Sequence, residues 1–142
     1  MTFDFTPRGL FSMNHLRFKH LWLGIGIALV AAVAVGSVVS IPQGAVSMND
    51  KVLHLGVYAS LMGWFAQIFR HDLTRLLLVV GLVLMGIGME FLQSMVPSRQ
   101  FEVLDMIANT SGVVLAWALA YTWVGNVLPW MEKLFFRSAQ QA

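Results

Sequence analysis

Polar residues are so unevenly spread along the chain that four apolar stretches separate themselves. The first, 21–41, carries no charge and is closed by Pro42. The second, 52–69, is broken by His54 and Gln67, and the third, 76–96, holds Glu90 and Gln93 before Pro97. The last, 103–128, has Asp105 and Asn109 near its start and Pro129 after it. Each approaches the roughly 20 residues a helix needs to cross a hydrocarbon core. In lipid, unpaired backbone groups are not tolerated, so helices are the expected form. The pattern predicts an all-α fold: a four-transmembrane-helix bundle over 21–128, flanked by a basic tail over 1–20 and an interfacial tail over 129–142.

Composition strengthens this reading. Charged residues make up 11% of the chain and hydrophobic ones 58%, with mean hydropathy +0.72. A soluble domain carries about 25% charged residues, so water is not the expected main solvent. The net charge of +2 gives nucleic-acid binding no support. Cysteine is absent, which excludes disulfides and thiolate ligands. The first stretch is too long and starts too late for a signal-peptide core, and is expected to be a retained helix. Gly24, Ala28, Ala32, Gly36 and Ser40 on the first helix, and Ala108, Gly112, Ala116 and Ala120 on the fourth, form stripes that predict close helix packing.

Lys and Arg set the expected orientation. Arg8, Arg17, Lys19, Arg70, Arg75, Lys133 and Arg137 fall on one side of a four-helix serpentine, and only Lys51 and Arg99 on the other. The positive-inside rule then puts both termini in the cytoplasm. The basic stretch HLRFKH before the first helix reads as an anchor to anionic lipid. Pro129, Trp130, Met131, Leu134 and Phe135 with Arg137 suit a short interfacial helix.

With that topology, the unexpected polar residues share one depth. Asp50, Lys51 and His54 lie at the outer start of helix two, Glu90 and Gln93 near the outer end of helix three, and Asp105 and Asn109 on the first turns of helix four. At 1.5 Å per residue, Glu90 sits roughly 10 Å below Pro97. A charge at the bilayer centre costs about 2.5–3.5 kcal/mol, so Glu90 and Asp105 are expected to face the bundle interior and find partners. Any one of these residues taken alone reads as interhelical hydrogen-bonding glue. Their concentration on one side favours a functional site.

The same residues carry a resemblance. DKVLHLGVYA at 50–59, EFLQ at 90–93 and RQFEVLDMIANTSG at 99–112 together resemble the VanZ-like family of small bacterial membrane proteins. Its D-K-x-x-H, E-x-x-Q and R…D-x-x-x-N-x-x-G pattern maps onto Asp50, Lys51 and His54, then Glu90 and Gln93, then Arg99, Asp105, Asn109 and Gly112. The match covers about half the chain. The resemblance implies a bacterial inner membrane, with work at the face toward the periplasm or exterior. The family's founding member is linked to resistance against teicoplanin, a glycopeptide acting on the cell envelope.

Three functional classes follow. The first is a site for the head group of an anionic or polyprenyl-linked envelope lipid. There Lys51 and Arg99 would engage phosphate, and His54, Gln93 and Asn109 would bind sugar or phosphate oxygens. Its difficulty is the excess of Asp50, Glu90, Glu102 and Asp105 over those two cations. Lipid retention is expected to depend on Arg99 and not on Arg75. The second is a membrane hydrolase or transferase acting on such a lipid, with His54 as base, Asp50 as its orienter and Glu90 as acid. The third is a non-catalytic assembly factor. The same carboxylate and amide oxygens could instead hold a divalent cation, but their spacing matches no dedicated metal motif, so no metal or cofactor is expected. The expected partner is the lipid bilayer, and oligomerisation is left open. Four helices leave little room for a transport pathway.

Overall fold

The computed structural model describes residues 11–13, 15–38, 50–96 and 101–139. Among these there is no strand. The elements are α1 (Lys19–Val38), α2 (Asp50–Ile68), α3 (Asp72–Ser94), α4 (Val103–Leu119), a 3₁₀ turn (Trp123–Asn126) and α5 (Val127–Ala139). Helices start a few residues earlier than hydropathy suggests, because Lys19, Asp50 and Asp72 are polar first-turn residues that the apolar runs exclude.

α2 is the central element, packed most extensively on α4 and also against α1, α3 and α5. Tyr58, Leu61, Met62 and Ala66 of α2 form the core with Leu82 of α3 and Val113, Ala116 and Ala120 of α4. The fourth-helix stripe behaves as expected. Ala108, Gly112, Ala116 and Ala120 are all buried, and a Cβ on Gly112 would overlap the Leu55 carbonyl oxygen and lie 3.0 Å from Ala59 N.

The first-helix stripe does not behave this way. Gly24, Ala28, Ala32 and Gly36 are exposed, Ser40 lies outside the described residues, and a Cβ on Gly24 or Gly36 would meet nothing. The contact falls instead on Gly26, where a Cβ would lie 2.9 Å from both Phe65 and Trp64. Small residues permit close approach but do not compel it, and large aromatics on α2 chose another face. Trp22 and Trp64 meet edge to face at 5.9 Å, and Trp64 Nε1 donates to the Trp22 carbonyl at 3.0 Å.

The expected continuous helix over 103–128 is broken. α4 ends at Leu119, and the chain turns by 76° into the segment that contains α5. The Thr122 hydroxyl donates to Leu119 O at 2.7 Å. Gly125 then folds back so closely on the Ala120 carbonyl that a side chain there would overlap it. Pro129 therefore does not end a helix but sits in the first turn of α5, where its missing N–H costs nothing.

Two helices, Lys19–Ser37 and Asp72–Ser94, are long and apolar enough to cross a membrane alone. The bent pair of α4 and the segment after it passes the same test taken together. The outward residues match: Ile27 and Val35 of α1, Leu77 and Leu84 of α3, and Leu104 and Leu115 of α4 are large, apolar and exposed.

Candidate functional site

The start of α2, the last turns of α3 and the first turns of α4 meet at one end of the bundle. Antiparallel helices of about equal length bring these ends to one level, and the Gly112 contact clamps α4 onto α2 one turn away. Glu90, Gln93, Asp105 and Asn109 are each at most 5% exposed, which puts all four on inward faces.

The side chains form a connected set. Glu90 Oε1 accepts the backbone N–H of Glu102, the residue before α4, at 2.8 Å. A carboxylate there also suits the positive end of the helix dipole. The Glu102 side chain pairs with Lys51, whose Nζ lies 2.8 Å from Asp105 Oδ1. The other oxygen of Asp105 is 3.6 Å from His54 Nε2, and Asp50 Oδ1 is 3.9 Å from the same nitrogen. His54 Nδ1 is 3.1 Å from Asn109 Oδ1. An amide oxygen only accepts, so Nδ1 carries the hydrogen. Gln93 turns the other way and donates to Ser37 O on α1 at 3.2 Å.

The expected site residues Asp50, Lys51, His54, Glu90, Gln93, Asp105 and Asn109 are thus brought together, and Arg99 lies outside the described residues. Three further residues take part, two of them without a sequence signal of their own and Glu102 known from the sequence only as a charge. Ser37 contributes only its carbonyl. Glu102 enters through its backbone as well as its carboxylate. Gly86 makes room, since a Cβ there would sit 3.3 Å from both Asn109 and Tyr58. Tyr58, one helical turn after His54, had a usable signal in its spacing.

Beside this set lies a cleft of about 190 Å³ between α1, α2 and α3. Its polar end is formed by Asp50, His54, Ser37 and Gln93, and its wall by Val33, Leu53, Val57 and Tyr58. The Tyr58 hydroxyl is buried, and among the described residues it has no hydrogen-bond partner; the same holds for Glu90 Oε2.

At the opposite end, buried Arg75 holds the α2–α3 link. Its Nε and Nη2 donate to the carbonyls of Phe69 and Ala66 at 2.9 and 2.7 Å, and its guanidinium lies over the Tyr121 ring. Arg75 is therefore part of the scaffold and a poor neutral control for ligand binding. Exposed Lys133 serves better.

An all-helical bundle with an apolar outer surface and its polar side chains turned inward at one end is the architecture of a membrane protein. The chain belongs to the VanZ/LLP1 family, which it matches over residues 25–125. The match takes in α2 to α4 with every site residue named above, and stops short of α5. An uncharacterized protein of the fission yeast Schizosaccharomyces pombe is 37% identical over 78 residues, which is 53% of this chain and 48% of that relative. The chain thus spans about half the length of this curated relative, and the similarity extends to a eukaryote. No solved structure is significantly similar.

Proposed function

We propose that this protein binds the head group of a membrane lipid in the cleft between α1, α2 and α3. The observation that carries the reading is the cleft's own polarity. It offers Asp50, His54 and Gln93 at one end and an aliphatic wall along the helices, which is the amphipathy of a lipid lying beside a bundle. The ligand class is an anionic or polyprenyl-linked envelope lipid. A part in the cell-envelope or glycopeptide response would follow from such a ligand.

The same reading has four membrane crossings, with both termini cytoplasmic and the cleft opening to the periplasm or exterior. α2 supports a fourth crossing, since its 19 residues span about 28 Å and its neighbours surround it. The orientation rests on the seven-to-two split of Lys and Arg. Because the chain has no cysteine, single cysteines test it cleanly. Ser98→Cys is expected to react with a membrane-impermeant maleimide on intact cells, and Ser138→Cys only after lysis. The reverse pattern would invert the topology.

Native mass spectrometry in a mild detergent tests the lipid. Wild type is expected to carry an anionic lipid that Gln93→Ala and Asp105→Asn lose while staying folded, and that Lys133→Ala keeps. Equal retention by all four proteins would remove the head-group reading.

One observation favours a second, enzymatic reading. His54 is pinned through Nδ1, which leaves Nε2 as the basic atom. Turnover of a labelled lipid-linked precursor, absent in His54→Ala, is what that reading requires.

A further inference from the structure

The polar end of the cleft has a charge problem. Among the described residues, the carboxylates of Asp50, Glu90, Glu102 and Asp105 lie at this end of the bundle, and the ammonium of Lys51 pairs with two of them, Glu102 and Asp105. Within that cluster, three lone pairs converge. With the hydrogen of a neutral His54 on Nδ1, facing Asn109 Oδ1, Nε2 is bare, yet it points at Asp105 Oδ2 and Asp50 Oδ1. Such a constellation needs a positive centre on that nitrogen, which either a proton or a metal ion supplies.

We propose that Asp50, His54 and Asp105 hold one first-row divalent cation, of the Zn²⁺ or Mn²⁺ type, at the polar end of the cleft. Their ligand atoms all lie within 4.8 Å of one another. In a tetrahedral zinc site with bonds near 2.1 Å, ligand atoms are about 3.4 Å apart. The His54 separations of 3.6 and 3.9 Å need only slight contraction. The widest gap closes by rotation of Asp50, whose side chain is 54% exposed. One nitrogen with two carboxylate oxygens is a borderline donor set, which suits zinc or manganese over magnesium or calcium. The surroundings fit as well. A metal-bound histidine donates its other N–H to an acceptor, as His54 does to Asn109. Lys51 holds Asp105 Oδ1 and leaves Oδ2 for the ion.

An independent feature points to what the ion would hold. The Tyr58 side chain is 3% exposed, lines the same cleft, and its hydroxyl has no partner among the described residues. A buried hydroxyl without a partner calls for an acceptor. Three protein ligands leave a coordination position open. A phosphate oxygen bound there, with Tyr58 donating nearby, would let a net-negative pocket accept an anionic head group. This role of the open position rests on the lipid reading; the metal site does not.

Calorimetric titration of Zn²⁺ into the full chain, delipidated in detergent, tests the metal apart from the lipid. Wild type is expected to bind one Zn²⁺ per chain with a rise in Tm that chelator reverses. His54→Ala and Asp105→Asn should each lose at least tenfold in affinity. Asp50→Asn, at an exposed position, should weaken binding severalfold in a chain that still folds, so misfolding cannot mimic the result. Absence of saturable binding by wild type, or equal binding by wild type and Asp50→Asn, would overturn the site. So would binding that is lost on replacing His15 and His20 instead.

Discussion

Gly112→Ala is expected to cost about 3 kcal/mol or more, at the upper end of what a single added methyl group does to a packed interior. Overpacking usually costs 1–3 kcal/mol, because neighbouring side chains shift to make room. Here the obstacle is backbone. The new Cβ would overlap the Leu55 carbonyl oxygen and crowd Ala59 N, and neither can move without parting α2 from α4. That interface is the most extensive among the described elements, and no hydrophobic effect between helices in lipid restores it. The site should fail with it, since Asn109 and His54 face each other one turn away across the same seam. Gly88→Ala is the matched control. It is also helical but meets nothing within 4 Å, so it should be neutral or stabilising by up to about 1 kcal/mol. Thermal unfolding in detergent separates the two, and similar Tm values for both variants would contradict the packing described.

Glu132→Ala is expected to release the first helix. Glu132 Oε2 accepts the Arg17 N–H at 2.8 Å, while Oε1 accepts the Phe18 N–H at 3.0 Å and the Trp22 indole N–H at 2.6 Å. One carboxylate on α5 therefore satisfies donors at the start of α1 and complements its dipole. Hydrogen bonds to a charged group are worth about 1.5–3 kcal/mol each. They are not independent, so a loss of about 3 kcal/mol is expected. Glu132→Gln should lose less, because it keeps one acceptor oxygen but turns an amine toward the other donors. Limited proteolysis between α1 and α2 reads the release directly. A wild-type pattern for Glu132→Ala would show that the remaining contacts of α1 with α2 and α3 hold it without the carboxylate.

The sequence made these two features unequally visible. Gly112 stands in a four-residue stripe, and periodicity alone placed it on a packed face. The identical argument misplaced the α1 stripe, because spacing records which residues permit contact and not which partner arrives. Glu132 was invisible for a different reason. It is the only acidic residue after Asp105, but two of its three donors are backbone N–H groups, which leave no trace in side-chain identities, and the third, the Trp22 indole, lies 110 residues away. The break after Leu119 was hidden the same way: apolar residues run on through it, and the Thr122 hydroxyl bond to Leu119 O and the close approach of Gly125 to Ala120 accompany the turn. The site was legible because buried charge in an apolar segment is costly wherever it occurs. Glu90 announced itself on those grounds, although its contact with the Glu102 backbone did not. A three-ligand cluster was not readable from spacing, since Asp105 joins Asp50 and His54 only through the α2–α4 packing.

The most direct test of the central claim is to fill the cleft without touching its polar residues. Gly36 lines it, and a Cβ there meets nothing within 4 Å, so Gly36→Phe should occupy the space a lipid would take. Beside wild type, this variant is expected to show an unchanged Tm in thermal unfolding and, by native mass spectrometry, loss of the co-purifying lipid. The same lipid bound to both proteins in equal measure would contradict the account.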